Sequence, residues 1–231
     1  MRMVLLALLA AMAVGAGAPA RTPISPQEAV ERMLTRLLRA PEFQSRVIIT
    51  RSDPFGGPPD RSEGKIWFLP GRGLRFHAMA GGGEDIVADK EKGTFAVYRP
   101  SEGVLYRADW NRAPARMRQL VLEPEKILDA DYRAVRERRR AGGAIRDGYR
   151  LHRASLGDSL PSVSVWLAAD PATGLPRWVS AGGDEDSVEV EFRAITLLGK
   201  ANPRDLDLAL PRSVRTEPLD PRDLLPGGES R

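Results

Sequence analysis

The chain has 231 residues and no cysteine, which excludes disulfide bonds, thiolate metal sites and a cysteine nucleophile. Its 35 basic and 31 acidic residues give a formal net charge of +4, too small to demand a nucleic-acid partner. The two histidines, His77 and His152, lie far apart in the sequence, so a histidine-built metal site is not expected. The length is sufficient for one β-rich domain with a hydrophobic core.

The N-terminus has the pattern of a secretory signal peptide. Arg2 precedes an apolar run at residues 4–14, and small residues follow it. The run is shorter than the roughly 20 residues that a membrane-spanning helix requires, which favours a cleaved signal over a membrane anchor. A-x-A patterns end at Ala18 and Ala20. We therefore assign residues 1–20 to a signal peptide cleaved near one of these alanines, with the mature protein outside the cytoplasm.

A helix is predicted shortly after this segment. Ser25, Pro26 and Glu28 form a capping-box pattern with proline at the first helical position. Apolar residues then recur at helical spacing as far as Leu38, and Pro41 ends the helix. Such a helix carries one apolar stripe, which another surface must cover.

From Phe43 onward, apolar residues alternate with polar ones, which predicts antiparallel strands with one buried face. The clearest example is the segment 188–194, VEVEFRA. Similar alternation occurs in residues 66–68, 74–78, 95–97, 104–108 and 163–167. Turns rich in glycine and proline separate these segments. About ten strands are implied, too many to remain flat, so we expect the sheet to curl.

A second helical stripe interrupts the strands at residues 117–128. Both stripes need a partner surface, and the buried face of the curled sheet is large enough to provide it. We therefore expect a mainly β fold with helices (α+β), in which helices cross the concave side of a curved antiparallel sheet. Residues 21–215 would form this domain. The polar, proline-rich residues 216–231 are predicted to be a disordered tail.

Several fragments of the chain occur in the order found in a known family. The first is the hairpin sequence GKIWFLPGRGLRF at residues 64–76. The others are residues 85–90 and 94–100, GYRL at 148–151, VWL at 165–167, TGLP at 173–176 and LDLALP at 206–211. In order and spacing they resemble the outer-membrane lipoprotein carrier (LolA-like) family, which includes lipoprotein-sorting proteins. The resemblance extends over nearly the whole mature chain.

This resemblance implies an unclosed β-barrel with a helical lid over an apolar cavity, which holds the acyl chains of a lipoprotein. It implies a periplasmic carrier and chaperone, not an enzyme, that shuttles lipoproteins from an inner-membrane exporter complex to an outer-membrane acceptor. Two alternatives stay open: a lipid-sensing or regulatory periplasmic module of the same fold, and a carrier of another amphiphile such as a glycolipid. We expect a monomer with no cofactor, metal site, catalytic residue or nucleic-acid partner.

Nine apolar residues are candidates for the lining of the lipid cavity. The strand candidates are Leu74, Phe76, Phe95, Val97, Val104 and Tyr106, and the helix candidates are Leu34, Leu120 and Val121. For each residue taken singly, ordinary core packing is the alternative interpretation.

Two arginines are candidates for a contact that latches the lid. The family's best-known members carry the latch arginine immediately before the hairpin proline, but here Leu69 occupies that position. Arg72 and Arg75 follow the proline and are the remaining candidates, although neither matches the family position. A basic run at residues 136–140 fits either a solvated hairpin end or a docking surface for an acidic partner or a membrane.

Overall fold

The fold is taken from a computed structural model, which describes residues 24–53, 55, 57–79, 83–112, 132–153, 165–182 and 187–219. The predicted signal peptide and the predicted helical segment 117–128, which contains Leu120 and Val121, lie outside these ranges.

The predicted N-terminal helix is present as α1 (Pro26–Leu38). Its capping box is complete: the Glu28 backbone N–H donates to Ser25 Oγ at 3.1 Å, and the Ser25 N–H donates to Glu28 Oε2 at 3.0 Å. The buried side of the helix consists of Val30, Met33, Leu34 and Leu37. Among the described residues, no helix combines the length and apolarity that crossing a bilayer requires.

Twelve strands form one sheet in the described part of the chain. They are β1 (Glu42–Arg51), β2 (Asp60–Leu69), β3 (Gly73–Ala78), β4 (Asp85–Asp89), β5 (Thr94–Arg99), β6 (Val104–Asp109), β7 (Tyr132–Ala141), β8 (Ala144–Arg153), β9 (Val165–Ala169), β10 (Pro176–Gly182), β11 (Ser187–Leu198) and β12 (Arg215–Pro218). Short 3-10 helices are found at Trp110–Arg112 and Pro203–Leu206.

The sheet consists of two meanders joined side by side. Strands β1 to β6 follow one another in space, β7 to β11 do the same, and the antiparallel pairing of β1 with β11 joins the two sets. The strand order begins with β12 and ends with β7, so the curved sheet is an unclosed barrel with two free edges. The mainly β, curved antiparallel fold predicted from the alternation is therefore confirmed.

The two faces of the sheet are covered by different parts of the chain. The inner face packs against α1 and contributes to one large central cluster of apolar side chains. The outer face of β2 to β5 packs against residues 199–214, here called the outer strap, which connects β11 to β12. Both faces of β4 are therefore buried, and all five of its residues are shielded from water.

Polar and apolar contacts hold the outer strap in place. Leu206 of the strap packs on Leu69 and Val87. The Asn202 N–H donates to Glu42 Oε2 at 2.8 Å, which explains how the Glu42 carboxylate is fully buried without being left unpaired.

The C-terminal boundary differs from the prediction of a tail from residue 216. Strand β12 pairs in parallel with β6, from Arg215 opposite Val104 to Pro218 opposite Arg107. The Leu219 N–H donates to the Arg107 carbonyl at 2.7 Å, and its side chain packs against the central cluster. The polar sequence did not predict this strand because pairing on a free edge uses backbone groups, which every non-proline residue has. Residues 220–231 lie outside the described part of the chain.

Candidate functional site

The candidate site is the apolar contact between the inner face and α1. Five of the predicted lining residues are buried members of the central cluster: Leu34, Leu74, Phe76, Phe95 and Val97. Tyr106 is half-buried and packs against the cluster. Val104 is fully buried and has the inward parity of Tyr106, although it lies outside the cluster. Leu120 and Val121 lie outside the described residues.

Strand register arranges these side chains in two rows across β3 to β6. The rows are Phe76, Ile86, Val97 and Tyr106, and Leu74, Ala88, Phe95 and Ala108. Side chains directly opposite one another on neighbouring strands lie within contact distance. The register therefore identifies which of the two alternating sets of residues faces inward, a point that alternation alone left open.

Helix α1 covers the inner face mainly with its apolar stripe. Polar contacts between this helical segment and the sheet include the Ala134 N–H donating to Gln27 Oε1 at 3.1 Å. Arg136 Nη2 donates to the Ile24 carbonyl at 3.3 Å, and Arg36 Nη1 donates to the Thr173 carbonyl. These contacts lie near the two ends of the helix, so its middle is held by hydrophobic packing.

Sequence reasoning missed several aromatic residues of the central cluster, among them Trp110. Its ring stacks on Phe95 with centroids 5.3 Å apart and an interplanar angle of 19°. Trp110 is 2% exposed, and its buried Nε1 has no hydrogen-bond partner among the described residues. Trp110 directly follows the last residue of β6 and lies two positions after the inward-facing Ala108. The alternation of β6 therefore places its side chain on the inner face, and this pattern could have identified it from the sequence.

Arg75 does not have the placement that a lid latch requires. It alternates with Leu74 and Phe76, so its side chain lies on the outer face, on the opposite side of the sheet from α1. Its Nε donates to Asp85 Oδ1 at 3.0 Å, and its Nη1 donates to the Asp207 carbonyl at 2.8 Å. The structure therefore contradicts the latch prediction for Arg75, whose guanidinium holds the outer strap.

Arg72 lies in the turn between β2 and β3. Its Nη1 is 2.7 Å from Glu91 Oε2, and its Nη2 is 3.9 Å from Asp89 Oδ2. These carboxylates belong to β4 and the turn that follows it. A latch function for Arg72 stays a prediction.

Two pairs of ionisable groups lie beside the outer strap. Lys92 Nζ is 2.7 Å from Asp207 Oδ1, and this hydrogen bond raises the pKa of Lys92 and lowers the pKa of Asp207. His77 Nδ1 lies 3.1 Å from Asp85 Oδ2, a pairing that the register of β3 and β4 creates. No group of three or more His, Asp or Glu side chains in the described ranges is arranged to hold a metal ion.

The carboxyl group of Glu189, on the outer face of the second meander, has a raised pKa, whereas the pKa of Asp207 is lowered. Burial raises the pKa of Glu189, and the Gly142 N–H, 3.3 Å from Glu189 Oε1, partly offsets that effect. The same face carries Trp178, whose ring lies beneath the guanidinium of Arg146 at 4.2 Å. This packing is separate from the inner face.

No family model matches this chain, and no curated protein matches it in sequence. A solved structure, an uncharacterized conserved protein from Thermus thermophilus, aligns with a TM-score of 0.50 and 12% identity over 84% of this chain and 98% of its own. The LolA superfamily protein NE2245 from Nitrosomonas europaea aligns at 0.43 with 11% identity, over 80% of this chain and 99% of its own. MucB aligns at 0.43 with 15% identity, over 77% of this chain and 62% of its own.

At 12% identity the likeness to the Thermus protein concerns the fold alone. The fold of this chain is a long curved antiparallel sheet that forms an unclosed barrel, with a helix against its inner face. The unclosed barrel with a helix that the sequence resemblance implied is therefore confirmed.

Proposed function

We propose that this chain is a periplasmic carrier that takes up the acyl chains of lipoproteins between its inner face and α1, and shuttles them toward the outer membrane. The observation that supports this most is the apolar inner face of an unclosed sheet, on which α1 is held mainly by hydrophobic packing. Residues 1–20 would direct export and be removed. An inner-membrane exporter would load the carrier, and an outer-membrane acceptor would unload it.

The free edges of the sheet make uptake physically feasible. Strands β12 and β7 are not paired with each other, so α1 can move without breaking ladder hydrogen bonds between strands. The chain between Arg112 and Tyr132 connects β6, next to one edge, to β7, the other edge. Leu120 and Val121 fall in this connection, and in this proposal they contribute to the cover on the inner face.

The free energy gained by burying an acyl chain is comparable with the free energy that the buried side chains of α1 contribute. Full burial of an aliphatic side chain contributes about 1.5–3 kcal/mol, so the four buried residues of α1 contribute roughly 6–12 kcal/mol together. Burying one long acyl chain at about 0.8 kcal/mol per methylene releases on the order of 10 kcal/mol. An acyl chain can therefore replace the contacts that α1 makes with the sheet.

A chain-length series tests this proposal. Synthetic lipopeptides whose acyl chains increase by one methylene at a time should bind with a Kd that falls about fourfold per methylene, until the site is filled. A glycolipid of matched acyl chains serves as the comparison ligand. Absence of binding, or an affinity independent of chain length, would contradict acyl burial. Equal affinity for the glycolipid would contradict lipoprotein specificity and favour a broader amphiphile carrier.

A further inference from the structure

The free edge formed by β7 carries a concentration of positive charge that the carrier function does not explain. The hairpin of β7 and β8 contains eight arginines and two acidic residues, a formal charge of +6. The whole chain has a charge of +4, so the remainder of the molecule has a charge of −2.

The arginines of β7 lie along both sides of the free edge. They are Arg133, Arg136, Arg138, Arg139 and Arg140, here called the arginine rail. Successive residues of a strand point to opposite faces, so the rail extends guanidinium groups from both faces over about 23 Å of strand. Such a row suits a plane of many anions better than it suits a single anion.

Few of these charges are neutralised within the protein. Arg138 pairs with Asp147 at 2.7 Å, and Arg150 of β8 pairs with Glu137. In the described part of the chain, no salt bridge involves Arg133, Arg139 or Arg140. Apart from the half-buried Arg139, the members of the rail are exposed.

Exposed apolar side chains accompany the rail. Val135 of β7 is 41% exposed, and Ile145, directly opposite Arg140, is 71% exposed. Apolar groups beside arginines are suited to the interface of a bilayer, because the guanidinium reaches phosphate while the apolar group enters the acyl boundary.

The edge itself is poorly suited to a peptide that would add as another strand. The Ala134 N–H points away from β8 and is already bonded to Gln27 Oε1. The Arg136 side chain is bonded to the Ile24 carbonyl, just before α1. The first half of the edge is therefore covered by the helical segment, which disfavours strand addition.

We propose that the arginine rail docks the protein on the surface of an anionic phospholipid bilayer. Bilayer phosphates supply the planar array of negative charge that the rail matches. The rail lies at the β7 edge, at the other end of the strand order from the two rows on β3 to β6, so docking and acyl uptake can be tested separately. If the protein does not bind the lipopeptides of the chain-length series, the docking proposal still stands, because it depends on the arginine rail and not on acyl uptake.

Sedimentation with vesicles tests the proposal, using the purified mature protein. Vesicles of phosphatidylglycerol and phosphatidylethanolamine should bind it, pure phosphatidylcholine vesicles should not, and 0.5 M salt should abolish the binding. The test variant carries Arg133→Gln, Arg136→Gln, Arg139→Gln and Arg140→Gln. The control variant makes the same change of charge at exposed arginines elsewhere: Arg46→Gln, Arg61→Gln, Arg107→Gln and Arg212→Gln.

The rail variant should lose about two to three orders of magnitude in its partition coefficient, while the control stays within a few-fold of wild type. Equal losses in both variants would overturn the proposal, because net charge alone would then explain binding. Tighter binding to poly-glutamate than to anionic vesicles would also overturn it, in favour of an acidic protein partner. Unchanged vesicle binding with dimerisation of the rail variant would overturn it too, because the arginines would then serve to prevent edge pairing.

Discussion

A disulfide between α1 and β7 would hold the helix on the inner face. Gln27 and Ala134 are neighbours, with 3.1 Å between the Gln27 amide oxygen and the Ala134 nitrogen, and the native chain has no cysteine to interfere. In the double variant Gln27→Cys and Ala134→Cys, loss of both free thiols on oxidation would report a single defined bridge, because the chain has no other cysteine. Such a bridge requires α-carbons about 4.4–6.8 Å apart.

The bridge should stabilise the fold and prevent acyl uptake. It links residues 107 positions apart, and closing a loop of that length contributes roughly 2–4 kcal/mol, which raises Tm by roughly 5–15 °C. A micromolar Kd corresponds to only about 8 kcal/mol, so losing an acyl burial term on the order of 10 kcal/mol should eliminate measurable binding. A fluorescent acyl probe should bind the reduced protein and not the oxidised one.

The matched control is a bridge that does not involve α1. Arg138 and Asp147 are directly opposite on β7 and β8, so Arg138→Cys with Asp147→Cys links the two strands of one hairpin. This variant should bind the probe equally in both redox states. If the oxidised Gln27–Ala134 variant binds the probe at the wild-type rate and affinity, the helix does not need to move, and the reasoning is refuted.

The remaining predictions concern the helix contact, its cap and one buried carboxyl group. Leu34→Ala and Leu206→Ala should each reduce the free energy of unfolding in urea by about 2–5 kcal/mol, because both side chains are fully buried. Only Leu34→Ala should speed acyl-probe uptake in stopped flow, and an equal change in both would contradict a helical lid. Ser25→Ala should cost about 1 kcal/mol and lower Tm by roughly 2–4 °C in calorimetry, whereas an unchanged Tm would mean that the capping box is not formed. Glu189→Gln should raise Tm at pH 7, because burial disfavours the charged form. Its raised pKa means that this gain is present above the folded-state pKa and vanishes below the ordinary glutamate pKa, so a pH-independent gain would contradict the assignment.

The elements that the sequence predicted best are those with local signals. The capping box at Ser25 and the alternation of residues 188–194 both lie within one element, and they correspond to α1 and β11. The inward parity was not predictable, because the outer face also carries apolar residues such as Leu69 and Val87. Those residues are apolar because the outer strap covers them.

Other features depend on contacts between distant parts of the chain. Strand β4 has no alternation, since all five of its residues are buried between the central cluster and the outer strap. The partners of Arg75 and His77 come from the register of β3 with β4 and from the strap, which follows more than 100 residues later. Parallel pairing of β12 has no side-chain pattern at all. Sequence reasoning therefore identified the elements with local signals more reliably than the contacts between distant parts of the chain.

Native mass spectrometry of the mature protein, purified without detergent from the cells that produce it, tests the carrier proposal most directly. We predict a species heavier than the polypeptide by the mass of one lipid, which releases fatty-acyl fragments on collisional activation. The Gln27–Ala134 bridged variant, kept oxidised throughout, should lack it. A preparation that contains only bare polypeptide, or a bound species without acyl chains, would contradict the proposal that the inner face receives lipid.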